Sequence, residues 1–294
     1  MTTHQPGIFH EGTKHHVFLE FAVRGAPRVL PGNALATSGI DAGHQVVAFG
    51  PALCDALDAV AAPARSFGFD AIDGKDDLHA PATQHDLFVW LHGDRRDELF
   101  ARALAWRDAL AGVADVAHED HGFLFRDSRD LTGFVDGSAN PKAEARMAAA
   151  LVGEGEHAGG SFVLAQRWVH DLAGFAGLTV HEQERVIGRT KPESVELTGD
   201  AMPPDSHVSR TDLERDGRPV KIYRRSSPVG GVRDAGLYFL AFSADVTRFR
   251  WLLDSMFGRT GDGLRDRLLG WSRPVTGSFF YAPATEALVG AFTE

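Results

Sequence analysis

The chain has 294 residues, 44% of them hydrophobic and 24% charged, with a formal net charge of −10. That apolar content can fill one large core or two moderate ones, and an acidic balance without a basic block argues against nucleic acid or an anionic membrane as partner. The single cysteine, Cys54, excludes an intramolecular disulfide and any iron–sulfur or zinc site built from several thiolates.

Residues 17–23 alternate, with Val17, Leu19, Phe21 and Val23 on one face, which predicts a strand. Residues 45–49 and 86–91 predict two more. Residues 51–61, behind Pro51, and residues 95–111 carry helical patterns, and 113–125 predict one or two further strands. This β-α-β-(α)-β-α-β order predicts a ferredoxin-like unit with an antiparallel sheet over residues 1–128. Residues 126–160, rich in glycine and charge, form the joint to a second unit, 129–294. There a strand is predicted at 161–169 and a short helix at 181–188. Two extended pieces follow, at 206–210 and 219–225, around the turn dipeptide Asp216-Gly217. An aromatic strand at 236–243 precedes a helix capped by Asp245 and stopped by Gly258, and a last strand covers 275–281. The order echoes the first half without a sequence repeat, so the expected class is α+β. No run approaches the roughly 20 apolar residues of a membrane span, and the start has no signal-like apolar stretch, so the expected location is cytoplasmic with no membrane partner.

Four segments could carry chemistry. In Gly133-Phe134-Val135-Asp136-Gly137 two glycines flank a carboxylate, which suits a loop pressed against a flat ligand but reads equally as a surface turn. His207, in Asp205-Ser206-His207-Val208, could ligate a metal as a neutral imidazole, or be one ordinary histidine among 14. Arg224-Arg225-Ser226-Ser227-Pro228 could place a guanidinium against a developing negative charge, or end a solvated strand. In Gly236–Ser243, Leu237, Phe239 and Ala241 point one way and Tyr238, Leu240 and Phe242 the other; one face could wall an apolar pocket.

Taken together, in this order, these segments resemble the dye-decolourising haem peroxidases, and most closely their compact B-type group. Gln166-Arg167-Trp168-Val169-His170-Asp171-Leu172 and Glu184-Arg185-Val186-Ile187-Gly188-Arg189-Thr190-Lys191 add to the resemblance, which covers most of residues 120–285. It implies a pair of ferredoxin-like units with one haem b per chain in the C-terminal unit. His207 would then be the proximal iron ligand, and Asp136 and Arg225 the distal acid–base and electrostatic groups. Ser227 falls where the family often has an asparagine, so a hydroxyl replaces an amide there. Arg189 would reach a haem propionate, Phe134 and Gly137 would lie against the porphyrin, and Phe239 would cover its distal face. Asp266 is the candidate partner of the His207 ring, with Asp262 close enough to compete.

The activity implied is reduction of hydrogen peroxide through a ferryl intermediate and oxidation of dyes, phenolics or other small one-electron donors. Replacing Arg225 is expected to slow peroxide cleavage more than replacing Asp136. Trp168, Tyr223, Trp251, Trp271 and Tyr281 have the redox chemistry to carry electrons from the surface, and each also reads as ordinary packing. A haem-binding protein for storage, delivery or iron release is the alternative; it would need His207 and Arg189 but not the distal pair. The resemblance suggests a homo-oligomer. Because the chain ends at Glu294, soon after the last predicted strand, loading into an encapsulin shell is not expected.

Overall fold

A computed structural model describes residues 3–25, 27–37, 42–63 and 67–292. Glu294, on which the expectation about a tail rests, lies outside the described residues. The long strands are β1 (His15–Val23), β2 (Gln45–Phe49), β3 (Leu87–Gly93), β4 (Ala114–Phe123) and β5 (Ser161–His170). They are followed by β6 (Tyr223–Arg224), β7 (Ser227–Val229), β8 (Gly236–Ser243), β9 (Ser272–Pro274) and β10 (Ser278–Ala282). Two further two-residue hairpins stand apart; one, Glu214–Arg215 with Arg218–Pro219, turns through Asp216-Gly217.

In the first half the sheet order is β4-β1-β3-β2, all antiparallel. In the second it is β7-β8-β5-β10, again antiparallel. Numbered within each half, both orders read 4-1-3-2, one in reverse, which is the ferredoxin-like arrangement. Two single bridges join the halves, Phe49 with Tyr281 and Gly122 with Val229. The strands β4-β1-β3-β2-β10-β5-β8-β7 therefore close back on β4 as a barrel, which removes the exposed edges.

Strand alternation divides the core in two. Phe18, Val46, Phe88, Trp90, Val163, Tyr238, Leu240 and Phe280 belong to one buried cluster, the barrel interior. Val17, Leu19, Phe21, Leu164, Trp168 and Ala241 belong to the other, which packs with the helices. The two faces expected for β8 are those observed: Leu237, Phe239 and Ala241 lie with the helix-side cluster, and Tyr238, Leu240 and Phe242 with the interior.

Several elements differ from expectation. The helix expected over 51–61 ends at Ala56 and resumes as a 3-10 turn, Asp58–Val60. Residues 113–125 form one strand, with a register shift against β1 between Glu20 and Phe21. Residues 206–210 are not extended: His207–Thr211 is a short helix, started by Ser206, whose hydroxyl accepts the Ser209 N–H. Five residues are too few to show helical periodicity, but a serine after Pro203-Pro204 is a helix-start signal.

Candidate active site

A cavity of about 320 Å³ opens between the helix-side face of β5 and β8 and the segments around His207 and Asp136. Its walls are largely apolar and include Leu164, Leu237, Phe239, Phe249, Leu252 and Met256.

On one side stands His207. The Ser206 cap fixes the first turn of its helix. Gly188 packs against the same turn, since a Cβ there would lie 2.9 Å from Val208 and 3.0 Å from Ser206 Oγ. Gly188 ends the helix Val180–Ile187, which starts with a capping box between Thr179 and Glu182. This brings Arg189, the next residue, into the cavity wall beside His207. The Nδ1 of His207 lies 2.7 Å from Oδ2 of fully buried Asp266, whose Oδ1 accepts the Leu268 N–H at 2.9 Å. The Asp262 carboxylate instead accepts from Arg210 at 2.7 Å, and that bond pulls its pKa down to about 2. Of the two acids that could have met the His207 ring, Asp266 does so. With Nδ1 engaged, Nε2 has no protein partner among the described residues.

On the other side is the loop 133–140. Gly137 has φ of +72°, which an L side chain rarely adopts, and its N–H bonds Asp136 Oδ1 at 2.6 Å. Asn140 fastens this loop to β6 in both directions: its Nδ2 donates to the Arg224 carbonyl at 2.7 Å, and its Oδ1 accepts the Arg224 N–H at 3.0 Å. Phe134 is buried, packs edge-on against Phe175, and lines the cavity with Asp136 and Gly137.

Arg225 and Ser227 are not brought to this cavity. The Arg225 guanidinium donates to the Ile8 and His10 carbonyls, each at 2.6 Å, and lies 4.8 Å over the Trp90 ring on the barrel side. The hydroxyl of Ser227, also buried, meets the Pro228 carbonyl at 3.3 Å. The reason is alternation: along 223–227 the odd positions turn inward to the barrel and the even ones outward. Arg224 is therefore the guanidinium that lines the cavity, and no hydrogen bond or ion pair holds it among the described residues. Two residues on, the buried Ser226 hydroxyl also lacks a partner. A second cavity, of about 570 Å³, shares Asp136, Gly137 and Arg224 with the first and is lined also by Arg225, Ser226 and Ser227.

Sequence reading missed Arg224, Asn140 and two side chains of β5. Gln166 and Trp168 face the main cavity, and the Gln166 amide and Trp168 Nε1 are buried without hydrogen-bond partners. Such orphans are costly in a finished core and mark a cavity that a polar-edged ligand fills. A flat apolar chamber with one free imidazole nitrogen, a guanidinium, a carboxylate and unpaired polar groups fits a haem. Arg189 in the same wall is bonded to Ser194 O and paired with Glu196.

Comparison with known proteins agrees. Two family models, described as Dyp-type peroxidase, N-terminal, and Dyp-type peroxidase, C-terminal, match residues 43–124 and 127–287. A dye-decolorizing peroxidase of Rhodococcus erythropolis is 38% identical over 248 residues, 83% of this chain and 72% of the relative. A variant of Rhodococcus jostii DypB in complex with heme superposes with a TM-score of 0.86 at 31% identity, covering 96% of each chain. The encapsulated DyP-type peroxidase of Mycobacterium smegmatis superposes at 0.88 and 31% identity, covering 99% of this chain and 98% of that one. These matches decide against a haem-storage role. With haem as its cofactor and hydrogen peroxide as its oxidant, the chain belongs to the Dyp-type peroxidases.

Proposed function

We propose that His207 carries the haem iron and that Arg224 is the guanidinium of the peroxide side. The observation that supports this assignment is the alternation of residues 223–227, which leaves Arg224 lining the cavity of His207 together with Asp136, while Arg225, tied to main-chain carbonyls, lines only the second cavity. The haem supplies the electrons that split peroxide; the protein supplies placement, charge and a path for one proton. Asp266 holds the Nδ1 proton of His207, which fixes the ring and leaves the Nε2 lone pair for the metal. Asp136 would move a proton between the two peroxide oxygens, through the carboxylate oxygen not occupied by Gly137. Arg224 stays charged throughout and stabilises the departing oxygen. Ser226, and not Ser227, is the hydroxyl that orders a water beside it. Phe134, Gly137, Phe239 and Arg189 line the cavity; the first three would lie against the porphyrin and Arg189 would meet a propionate. The second cavity, meeting the first at Asp136 and Arg224, is the route by which peroxide enters.

We also divide the chain into units 1–128 and 129–294, in keeping with the two matched segments. The protein is assigned as cytoplasmic and homo-oligomeric. Among the described residues no helix is long and apolar enough to cross a membrane, and exposed Phe100, Val180 and Val232 offer apolar surface to a second copy. We do not propose loading into an encapsulin shell.

Arg224→Leu and Arg225→Leu separate the two guanidinium assignments. Arg224→Leu should slow the reaction with peroxide by about a hundred- to a thousandfold while leaving the thermal midpoint near that of the parent. Arg225→Leu should lower the midpoint, because it strips buried carbonyls of their donor, with a much smaller kinetic effect. Stopped-flow rates in the opposite order would reject the assignment.

A further inference from the structure

Inside the barrel lies a titratable cluster that peroxide cleavage does not use. Along β1 the inward residues are His16, Phe18 and Glu20. Glu20 is a fully buried carboxyl amid aromatic rings. It accepts the Tyr238 hydroxyl on Oε1 at 2.7 Å and the Ser278 hydroxyl on Oε2 at 3.0 Å, and Oε2 also lies 2.8 Å from His85 Nδ1. The His85 side chain is 22% exposed, so the cluster reaches towards solvent. Burying a carboxyl costs free energy unless its bonds are satisfied, and an apolar set here would be simpler to fold. Tyr238 belongs to β8, and its two neighbours on that strand, Leu237 and Phe239, line the haem cavity. One strand therefore presents its cavity wall on one face and this phenol–carboxyl pair on the other.

We propose that Tyr238 is a proton-coupled electron relay, with Glu20 as its proton acceptor. The step follows from the peroxidase reading and draws on the oxidising equivalent that peroxide leaves at the haem. Tyr238 gives up one electron towards the cavity, its O–H bond breaks, and the proton crosses the hydrogen bond to Glu20 Oε1. A small one-electron donor then returns the electron and Glu20 returns the proton, so charge and atoms balance. The proton transfer is obligatory, because burial, reinforced by the adjacent Glu20, keeps the Tyr238 phenol protonated well beyond the usual range.

The surroundings favour Tyr238 over Trp90, Tyr223 and Tyr281. Trp90 has the Arg225 guanidinium 4.8 Å over its ring, and that cation opposes loss of an electron. Tyr223 bonds a carboxylate too, Glu11, but the Arg225 charge acts on it as well. Among the described residues the Tyr281 hydroxyl meets only a backbone carbonyl, His157 O, at 3.4 Å, which cannot take a proton. Tyr238 combines a carboxyl acceptor with a stacked ring, Phe18, at 4.0 Å.

The chain has three tyrosines, so the radical can be assigned outright. Haem-loaded protein with ring-deuterated tyrosine is mixed with hydrogen peroxide without a donor, frozen rapidly and read by electron paramagnetic resonance. A tyrosyl signal that narrows with the label is expected. It should be lost in Tyr238→Phe and kept in Tyr223→Phe and Tyr281→Phe. Glu20→Gln should lose the signal while keeping its Soret band, and in the unaltered protein the signal should form more slowly in D2O. Survival of the signal in Tyr238→Phe, no tyrosyl signal in the parent, or equal formation rates in H2O and D2O would overturn the relay. The Soret band and its response to peroxide, recorded first on each sample, test the haem site separately; their absence in the parent would overturn the peroxidase reading and the relay with it.

Discussion

His207 and Asp136 face one cavity, but they are held in different ways. Around His207, side chains fix side chains: the ring meets a fully buried carboxylate, and that carboxylate is in turn tied to the Leu268 N–H. Around Asp136, main chain is fixed and side chains are left loose. Asn140 clasps the backbone of Arg224, while the Arg224 guanidinium has no partner among the described residues, and Asp136 accepts only the N–H next to it. The contrast suits the proposed roles: a metal ligand must keep one orientation and needs specific bonds, whereas groups that pass a proton or meet a transient charge must change partners and need only their backbones secured.

Replacements on the two sides sharpen that contrast. The largest effect is expected from His207→Ala, which should abolish haem retention, read as loss of the Soret band after gel filtration. Asp266→Asn should keep haem but weaken its hold and activity by about ten- to a hundredfold, since it disturbs the partner of the ligand and not the ligand. Asp262→Asn serves as its control: it releases Arg210 and should leave the Soret maximum in place. If Asp262→Asn shifts the haem spectrum and Asp266→Asn does not, Asp266 is not the acid that orients the ligand. On the looser side, Asn140→Ala should slow the peroxide reaction by roughly tenfold, about 1.4 kcal/mol, while leaving the resting haem spectrum unaltered. An unchanged rate would mean that the loop does not depend on its clasp.

A further effect concerns stability alone and lies behind the cavity, in the barrel that Arg225 enters. Burial, and then the nearby Arg225 charge, pushes His16 down to about 3 and His92 to about 2. In the unfolded chain both would titrate near 6.5, as ordinary histidines do. Between those values the unfolded state binds more protons, so stability is complete above about pH 6.5 and falls as pH drops towards 3. The slope should approach about 1.4 kcal/mol per pH unit for each ring. Thermal midpoints against pH should therefore decline through this window, and less steeply in His16→Gln; parallel curves would show that His16 contributes nothing to the decline.

Much of this was legible in the chain. Alternation at 17–23 and 236–243 predicted both the strands and their faces, because successive side chains of a strand point to opposite sides. The Asp245 cap and the helix after it are as expected, since Asp245 Oδ1 accepts the Thr247 N–H. The helix beginning at His207 was not legible, being too short for periodicity. That Arg224 and not Arg225 lines the cavity of His207 was not legible for a related reason: adjacent identical residues point to opposite faces, and a shift of one position exchanges them.

The sequence by itself determined the α+β order and the β8 faces and singled out Asp136, His207 and Arg189, which line one cavity, because each rests on local pattern or on a motif carried in a single segment. The tertiary structure alone decided that Asp266 meets His207 while Asp262 meets Arg210, that Arg224 and not Arg225 enters the cavity, and that Glu20 receives Tyr238 from 218 positions away. Those outcomes depend on which elements pack together and at what register, and a distance across a folded core is not written in spacing along the chain.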